Sequence, residues 1–319
     1  MRLTIRHVTS YSYAQPMRTL VQSMRLVPSR FDGQTATDWR ITVEGFDAAG
    51  TALPRAEATI ARAGATQSQS PDPSQGQIQG AQGRAPAAGE SGPVGAAFRD
   101  GAGDWTQTVS TRGPVSRLSI AVAGTVETSD LSGVLRGHRE SVPPGVYLRS
   151  TRPIWPDVAL ADLARGVIAA TEGASVLTRA HALSAAASDA IAYVPGQTVA
   201  STTAAEALAA GKGVCQDHAH ALIALAHQAR LPARYVVGYL FAEGEGSEMA
   251  EASHAWAEIW VDGLGWTGFD PANRCCPDDR YVRLCSGFDA QDAAPIRGIA
   301  FGADSEHLTV DVAVERQEQ

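Results

Sequence analysis

The spacing of apolar residues changes near Pro143, and that change decides what each half of the chain can fold into. Ahead of it, apolar and polar residues alternate. Leu3 and Ile5 stand against Arg2, Thr4 and Arg6, and Leu118, Ile120 and Val122 line one side of the run RLSIAVAGTV at 117–126. A period of two marks half-buried strands. Leu20 to Val27, Trp39 to Val43 and Trp105 to Ser110 have the same character, and the breakers Pro28 and Gly45 close the first two. Beyond Pro143, Leu160, Leu163, Ala164, Val167 and Ile168 fall on one face of a helix, with Asp157 as its N-cap. Leu183, Ala186, Ala187, Ala190 and Ile191 repeat the spacing, with Thr178 as the expected cap. Thr203 and Glu206 fit a capping box for a short helix that ends at Gly211. A further helix runs from about Cys215 to Arg230 and stops before Pro232. Strand patterns return at 234–241, 253–261 and 266–270, and the C-terminal run HLTVDVAVE alternates through Leu308, Val310, Val312 and Val314.

Blocks of strands, helices and strands predict an α+β fold. A length of 319 residues predicts two domains. We place a β-rich N-terminal domain at 1–150 and an α+β domain at 151–319 that ends in a C-terminal strand extension. Residues 64–97 are rich in Gln, Ser, Gly, Pro and Ala, with Ile78 and Val94 as the aliphatic exceptions. Such a run buries too little apolar surface to offset its ordering entropy, and we read it as a disordered insertion in a surface loop.

Asp and Glu number 34 against 26 Lys and Arg, a formal charge of -8. That argues against a nucleic-acid binder, which needs a basic face. Lys212 is the sole lysine. No apolar stretch reaches the roughly 20 residues of a membrane helix, so no membrane partner is expected. The opening MRLTIRHVTSYSY alternates and lacks an apolar leader core, so the expected compartment is the cytoplasm. Cys215, Cys275, Cys276 and Cys285 show no disulfide-framework spacing and are expected as free thiols.

One cysteine is placed for chemistry. In GKGVCQDHAH, Cys215 opens a helix, where unpaired N–H groups and the helix dipole favour a thiolate and can bind a developing oxyanion. Gly211 and Gly213 just ahead would let a substrate backbone approach. A nucleophilic cysteine needs a base and the base an orienting group. SHAWAEIWVDGLGWTGFDP offers His254 on one strand and Asp270 at the end of the next, with a turn at DGLG. Opposed residues of an antiparallel pair share a face and have a constant number sum. His254 and Asp270 share a face only if that sum is even. This predicts a three- or five-residue loop, or a bulge, with Gly263 or Gly265 at positive φ.

The run from about 200 to 272 resembles the transglutaminase-like superfamily, through GVCQDHAH, PARYVVGYL, SHAWAEIW and GWTGFDP in that order. The resemblance implies a papain-like thiol enzyme. It assigns Cys215 as nucleophile, His254 as general base and acid, and Asp270 as orienter. Residues 1–150 resemble the β-rich N-terminal region of many bacterial members. DGAGDW at 100–105 resembles a D-x-x-G-N segment of that family, with Asp104 in place of Asn, and DAAPIRG at 292–298 with the last strand resembles the family's C-terminal end. The insertion at 64–97 departs from the family. The implied activity is acyl transfer from peptide or side-chain amides through a thioester. With water as acceptor this is a cysteine peptidase or amidase, the type expected of bacterial members. With an amine it is a protein-glutamine γ-glutamyltransferase. The reading from another class is a protein-binding module with a vestigial thiol site, against which the complete triad argues. The expected partner is a protein or peptide substrate.

Other residues near the triad have two readings each. Asp217 suits the dipole in the first helical turn, and Arg234 is its candidate ion-pair partner. Trp256 shares the His254 face and either walls the cleft or packs the core. Glu258, on the same face, is either a hydrogen-bond acceptor behind the site or a solvated edge charge. Tyr193 either lines the substrate groove or packs. The acidic run at 243–251 either gates the site or is a solvated loop. No metal or other cofactor is expected. His218 and His220 point about 200° apart on their helix, His220 and His227 sit two turns apart, and the adjacent Cys275 and Cys276 make a poor ligand pair.

Overall fold

The structure, a computed structural model, describes residues 1–53, 56–61, 93–242, 253–302 and 305–317. Its N-terminal half contributes strands β1 (Arg2–Met24), β2 (Gln34–Phe46), β3 (Ala56–Ala61), β4 (Pro93–Arg99) and β5 (Trp105–Thr128). Next come helices α1 (Val158–Ala170) and α2 (Val176–Ala190), the short β6 (Ala192–Tyr193), α3 (Ala204–Ala210), β7 (Lys212–Gly213) and α4 (Cys215–Gln228). The chain closes with β8 (Ala233–Leu240), β9 (Ser253–Val261), β10 (Gly265–Phe269), β11 (Tyr281–Gly287), β12 (Ile296–Phe301) and β13 (Glu306–Arg316). The fold is α+β, with a β-rich N-terminal part and a helix-bearing core.

β1 and β5 form a long antiparallel ribbon at the centre of the larger sheet. Two pairs of short strand patterns are therefore continuous: 2–8 joins 20–24 in β1, which ends at Met24, three residues before the expected end at Val27, and 105–110 joins 117–126 in β5. Buried Tyr13, Met17 and Val115 carry the ribbon through the stretches where alternation fades. The C-terminal strands, grouped by sequence with 151–319, return to this sheet. β13 pairs Leu3–Tyr13 and β12 pairs Thr19–Met24 of β1. Residues 93–97, expected within the disordered insertion, lie in β4 and pair with β5, because the paired backbone needs few apolar side chains. Residues 64–92 of that insertion and the acidic run at 243–251 lie outside the described residues.

The second sheet is antiparallel in the order β10-β9-β8-β11. α4 packs on it, and Ala219, Leu222, Ile223, Leu225 and Ala226 join Ala255, Ala257 and Ile259 of β9 in the core. Asp157 caps α1 by accepting from Leu160 N at 2.9 Å. The cap of α2 is Ser175, which accepts from Thr178 N at 3.1 Å. Thr178 is thus the third helical residue, because a serine three residues earlier competes for the same role. α3 has the reciprocal Thr203–Glu206 box, and Gly211 ends it at φ 62°. α4 ends at Gln228, with Arg230 at φ 57° leading into Pro232.

The two sheets share a buried charge cluster. Glu258 of β9 accepts from Arg234 Nε of β8 at 2.7 Å and from Arg283 Nε of β11 at 2.8 Å. Arg283 Nη1 donates to Asp104 Oδ1 at 2.8 Å, and Asp104 Oδ2 accepts from Ser286 N at 2.8 Å. Arg234 also donates to Glu140. Asp104, from the turn between β4 and β5, thereby ties the N-terminal sheet to the core. Among the described residues no helix is long and apolar enough to cross a membrane.

Candidate active site

The β9–β10 hairpin sets the register of the site. Val261 pairs with Gly265 and Trp266 with Trp260, which leaves a three-residue loop, Asp262 to Leu264. Gly263 and Gly265 adopt φ of 85° and 89°. The pair sum is even, and one step past the last ladder pair Asp270 falls opposite Trp256, on the His254 face. Asp270 Oδ2 accepts from His254 Nε2 at 2.6 Å. Nε2 is thus committed, leaving Nδ1 for the hydrogen bond between His254 and Cys215. The fold therefore brings together the cysteine of a helix start, a strand histidine and a carboxylate from the next strand. Asp270 is sealed from solvent, whereas Cys215 and His254 keep 9% and 7% of their surface exposed, so the site opens on the thiol side.

Burial pushes the His254 imidazole down, but the hydrogen bonds to Asp270 and Cys215 and the charges of both outweigh it and raise it to about 10. Asp270 is held below the ordinary carboxylate range. Burial opposes this, and the hydrogen bonds from His254, Asn273 and Tyr281 overcome it. Burial raises the Cys275 thiol, and pushes Cys276 to about 11 and Cys285 to about 12.

Trp256 stacks beside His254, with ring centroids 6.4 Å apart, and meets the edge of Tyr281 at 5.5 Å. Its ring needs Gly238, the cross-strand partner of His254. A Cβ there would lie 2.6 Å from Trp256 and 2.1 Å from the Val282 carbonyl. Tyr193 lies on β6 against β7, beside the chain just ahead of Cys215, with its ring 6.2 Å from His218.

Several residues take different partners from those expected. Asp217 does not pair with Arg234. Its Oδ2 accepts from Val214 N at 2.8 Å and Thr198 Oγ1 at 2.7 Å, because the third residue of a helix can reach back to its own N-cap. Gly213 is buried against Asp217, 2.7 Å from where its Cβ would sit, so it serves helix entry and not substrate approach. Glu258 faces Arg234 and Arg283 and does not reach the His254–Asp270 pair. His218 lies between the carbonyls of Val214 and Ile191, His220 Nε2 accepts from Ala290 N, and His227 meets the Tyr147 carbonyl. Among the described residues no three His, Cys, Asp or Glu side chains are grouped to hold a metal ion.

Two residues beside Asp270 escaped the sequence reading. Asn273 donates to Asp270 Oδ2 at 2.7 Å, and Tyr281 donates to the same oxygen at 2.8 Å. The D-P-x-N turn that follows the strand signals the first; nothing local signals the second.

Residues 161–271 match the transglutaminase-like superfamily, and residues 3–52 match the bacterial transglutaminase-like N-terminal region. The chain carries a transglutaminase-like core. Cys215, His254 and Asp270 all fall within it, while Asn273 and Tyr281 lie just beyond. An uncharacterized Mycobacterium leprae protein is 35% identical over 127 residues, which is 39% of this chain and 45% of that protein. An uncharacterized protein of Mycobacterium tuberculosis strain H37Rv is 38% identical over 131 residues, 39% of this chain and 41% of its own length. The match thus spans less than half the length of these curated relatives. A provisionally assigned cysteine protease from Cytophaga hutchinsonii superposes with a TM-score of 0.62 at 19% identity, over 100% of this chain and 92% of its own. The shared fold therefore includes the N-terminal sheet as well as the transglutaminase-like core.

Proposed function

We propose that the protein is a thiol acyl-transfer enzyme that cleaves peptide or side-chain amides through a thioester on Cys215. The observation that carries the proposal is the buried chain of contacts from Asp270 through His254 to Cys215. The imidazolium held by Asp270 is the counter-ion for a thiolate. The sulfur attacks the amide carbonyl and the C–S bond forms. Charge builds on the carbonyl oxygen beside the open amides of the α4 start. As the C–N bond breaks, His254 delivers its proton to the leaving amine. His254 then takes a proton from water, the hydroxide attacks the thioester, and the acid leaves as the thiolate–imidazolium pair re-forms. Asp270 stays ionised throughout and fixes the tautomer. Water is the acceptor in this reading, which makes the protein a cysteine peptidase or amidase.

The test uses the other three thiols as internal references. Native protein is treated with limiting iodoacetamide from pH 5 to 9, and the adduct is located by peptide mass, with Cys215→Ala and His254→Ala in parallel. Selective labelling of Cys215 below pH 7, lost in His254→Ala, is expected. Labelling of Cys215 no faster than Cys275, Cys276 or Cys285 overturns the proposal. A peptide library offered with and without a primary amine then reads the acceptor. Amide products in place of acids would replace hydrolysis by transamidation at the same thiol.

A further inference from the structure

Asp270 does not hold His254 alone. Its Oδ2 faces His254 Nε2 at 2.6 Å, Asn273 Nδ2 at 2.7 Å and the Tyr281 hydroxyl at 2.8 Å. Its Oδ1 accepts the Asn273 backbone N–H at 3.2 Å. Asp270 to Asn273 form a turn in which Pro271 occupies the position that suits its fixed φ. The carboxylate is thus gripped on both oxygens by its own turn. Tyr281 arrives from β11, and its single proton goes to Asp270. As an acceptor the same hydroxyl faces the Cys275 thiol at 3.3 Å and Asn273 Nδ2 at 3.4 Å.

The donor roles are forced. An ionised carboxylate only accepts, so each polar neighbour must present a hydrogen to it. His254 therefore carries its proton on Nε2 and turns Nδ1 to Cys215. We propose that Asn273 and Tyr281 are positioning residues that act through Asp270, aiming its Oδ2 at His254 Nε2–H so that His254 meets Cys215 in one orientation and one tautomer. The consequence for turnover rests on the acyl-transfer reading; the positioning itself does not.

Asp270 is wholly buried, so no bulk water takes the place of a lost donor. A carboxylate short of one charge-assisted hydrogen bond protonates more readily. Once protonated it presents its own hydrogen and no longer anchors the imidazole. Removing either donor therefore moves the loss of function on acidification to higher pH. The Tyr281 ring packs edge-on against Trp256, a contact phenylalanine keeps, so Tyr281→Phe removes the hydroxyl alone.

The experiment compares full-length wild type, Tyr281→Phe and Asn273→Ala by two readouts. The first is the rate of Cys215 alkylation from pH 4 to 9. The second is the His254 Nε2–H signal in histidine-labelled protein by NMR. Both variants should raise the acid limb of the alkylation profile by about one pH unit, which slows labelling by up to about tenfold on that limb and little at neutral pH. With an acyl substrate in hand, kcat should fall and KM stay. The Nε2–H signal should shift and exchange faster with solvent. A Tyr281→Phe profile and Nε2–H signal that superimpose on wild type would overturn the inference. If Asn273→Ala does not fold, Tyr281→Phe decides alone. If wild-type Cys215 is itself inert, the acyl-transfer reading fails, and the Nε2–H signal still decides the positioning.

Discussion

Glu258→Gln is the most informative perturbation of the fold. Glu258 is 2% exposed and lies between two guanidiniums, with Arg234 Nε at 2.7 Å and Arg283 at 2.8 and 3.3 Å. Burial pushes its carboxyl up, but Arg283 and Arg234 more than offset this and bring it from 4.5 down to about 2. At roughly 1.4 kcal/mol per unit, that difference corresponds to about 3 kcal/mol of folding stability at neutral pH. Leaving a buried charge without any partner costs about 3–5 kcal/mol; Arg234 and Arg283 keep Glu140 and Asp104, so the loss here lies at the lower end of that range. Here two arginines would face a neutral amide. A folded-state carboxyl pushed below its unfolded value stabilises fully above the unfolded value and loses that stability as pH falls through the folded value. The wild type should therefore exceed Glu258→Gln by about 3 kcal/mol at pH 7. The gap should hold down to about pH 4.5 and close toward pH 2. Urea unfolding followed by tryptophan fluorescence at pH 7, 5, 4 and 3 measures it, and the melting temperature at pH 7 should drop by roughly 6–10 °C. Equal stabilities at pH 7, or a gap unchanged at pH 3, would refute the reasoning.

Three further outcomes follow from the geometry. Gly238→Ala should destabilise by at least about 1–3 kcal/mol and displace Trp256 from His254, because the added Cβ meets the Val282 carbonyl as well as the indole; urea unfolding and tryptophan fluorescence read both effects. His254→Gln should be less stable than wild type at pH 6, with the gap narrowing as pH rises. The raised imidazole stabilises fully below 6.5 and loses that contribution toward about 10, so urea unfolding at pH 6, 8 and 10 tests the sign. Gly263→Ala and Gly265→Ala place a Cβ at φ of 85° and 89° and should each cost about 1–3 kcal/mol, measured by thermal unfolding.

What was legible in the sequence was local. The Thr203–Glu206 box, the Asp157 cap and the hairpin parity each depend on residues a few positions apart, and each formed as expected. The parity argument reached further because a ladder carries the geometry of the three-residue loop along both strands. It placed Asp270 on the His254 face from the numbering of two residues and the glycines between them. Where local signals competed, the reading slipped by a few residues, as with Ser175 in place of Thr178.

The charges followed a different rule. Arg234, Glu258, Arg283 and Asp104 are each costly to bury and become tolerable only together. Asp104 and Arg283 are 179 residues apart, so no window of sequence contains the pair. Asp217 and Arg234 were the nearer opposite charges, and proximity in sequence favoured the wrong pairing. The register of β8 on β9 sets Arg234 directly across from Glu258, where side chains meet at the shortest reach. Tyr281 was hidden for the same reason: its hydroxyl reaches Asp270 only once β11 has paired with β8. The cluster sits on the strand that carries His254, four residues from it, and ties that strand to the N-terminal sheet through Asp104. Glu258→Gln should therefore leave the His254 Nε2–H signal unchanged if the cluster only stabilises the fold. A shift of that signal in folded Glu258→Gln would mean that the N-terminal sheet helps to set the geometry of the thiol site.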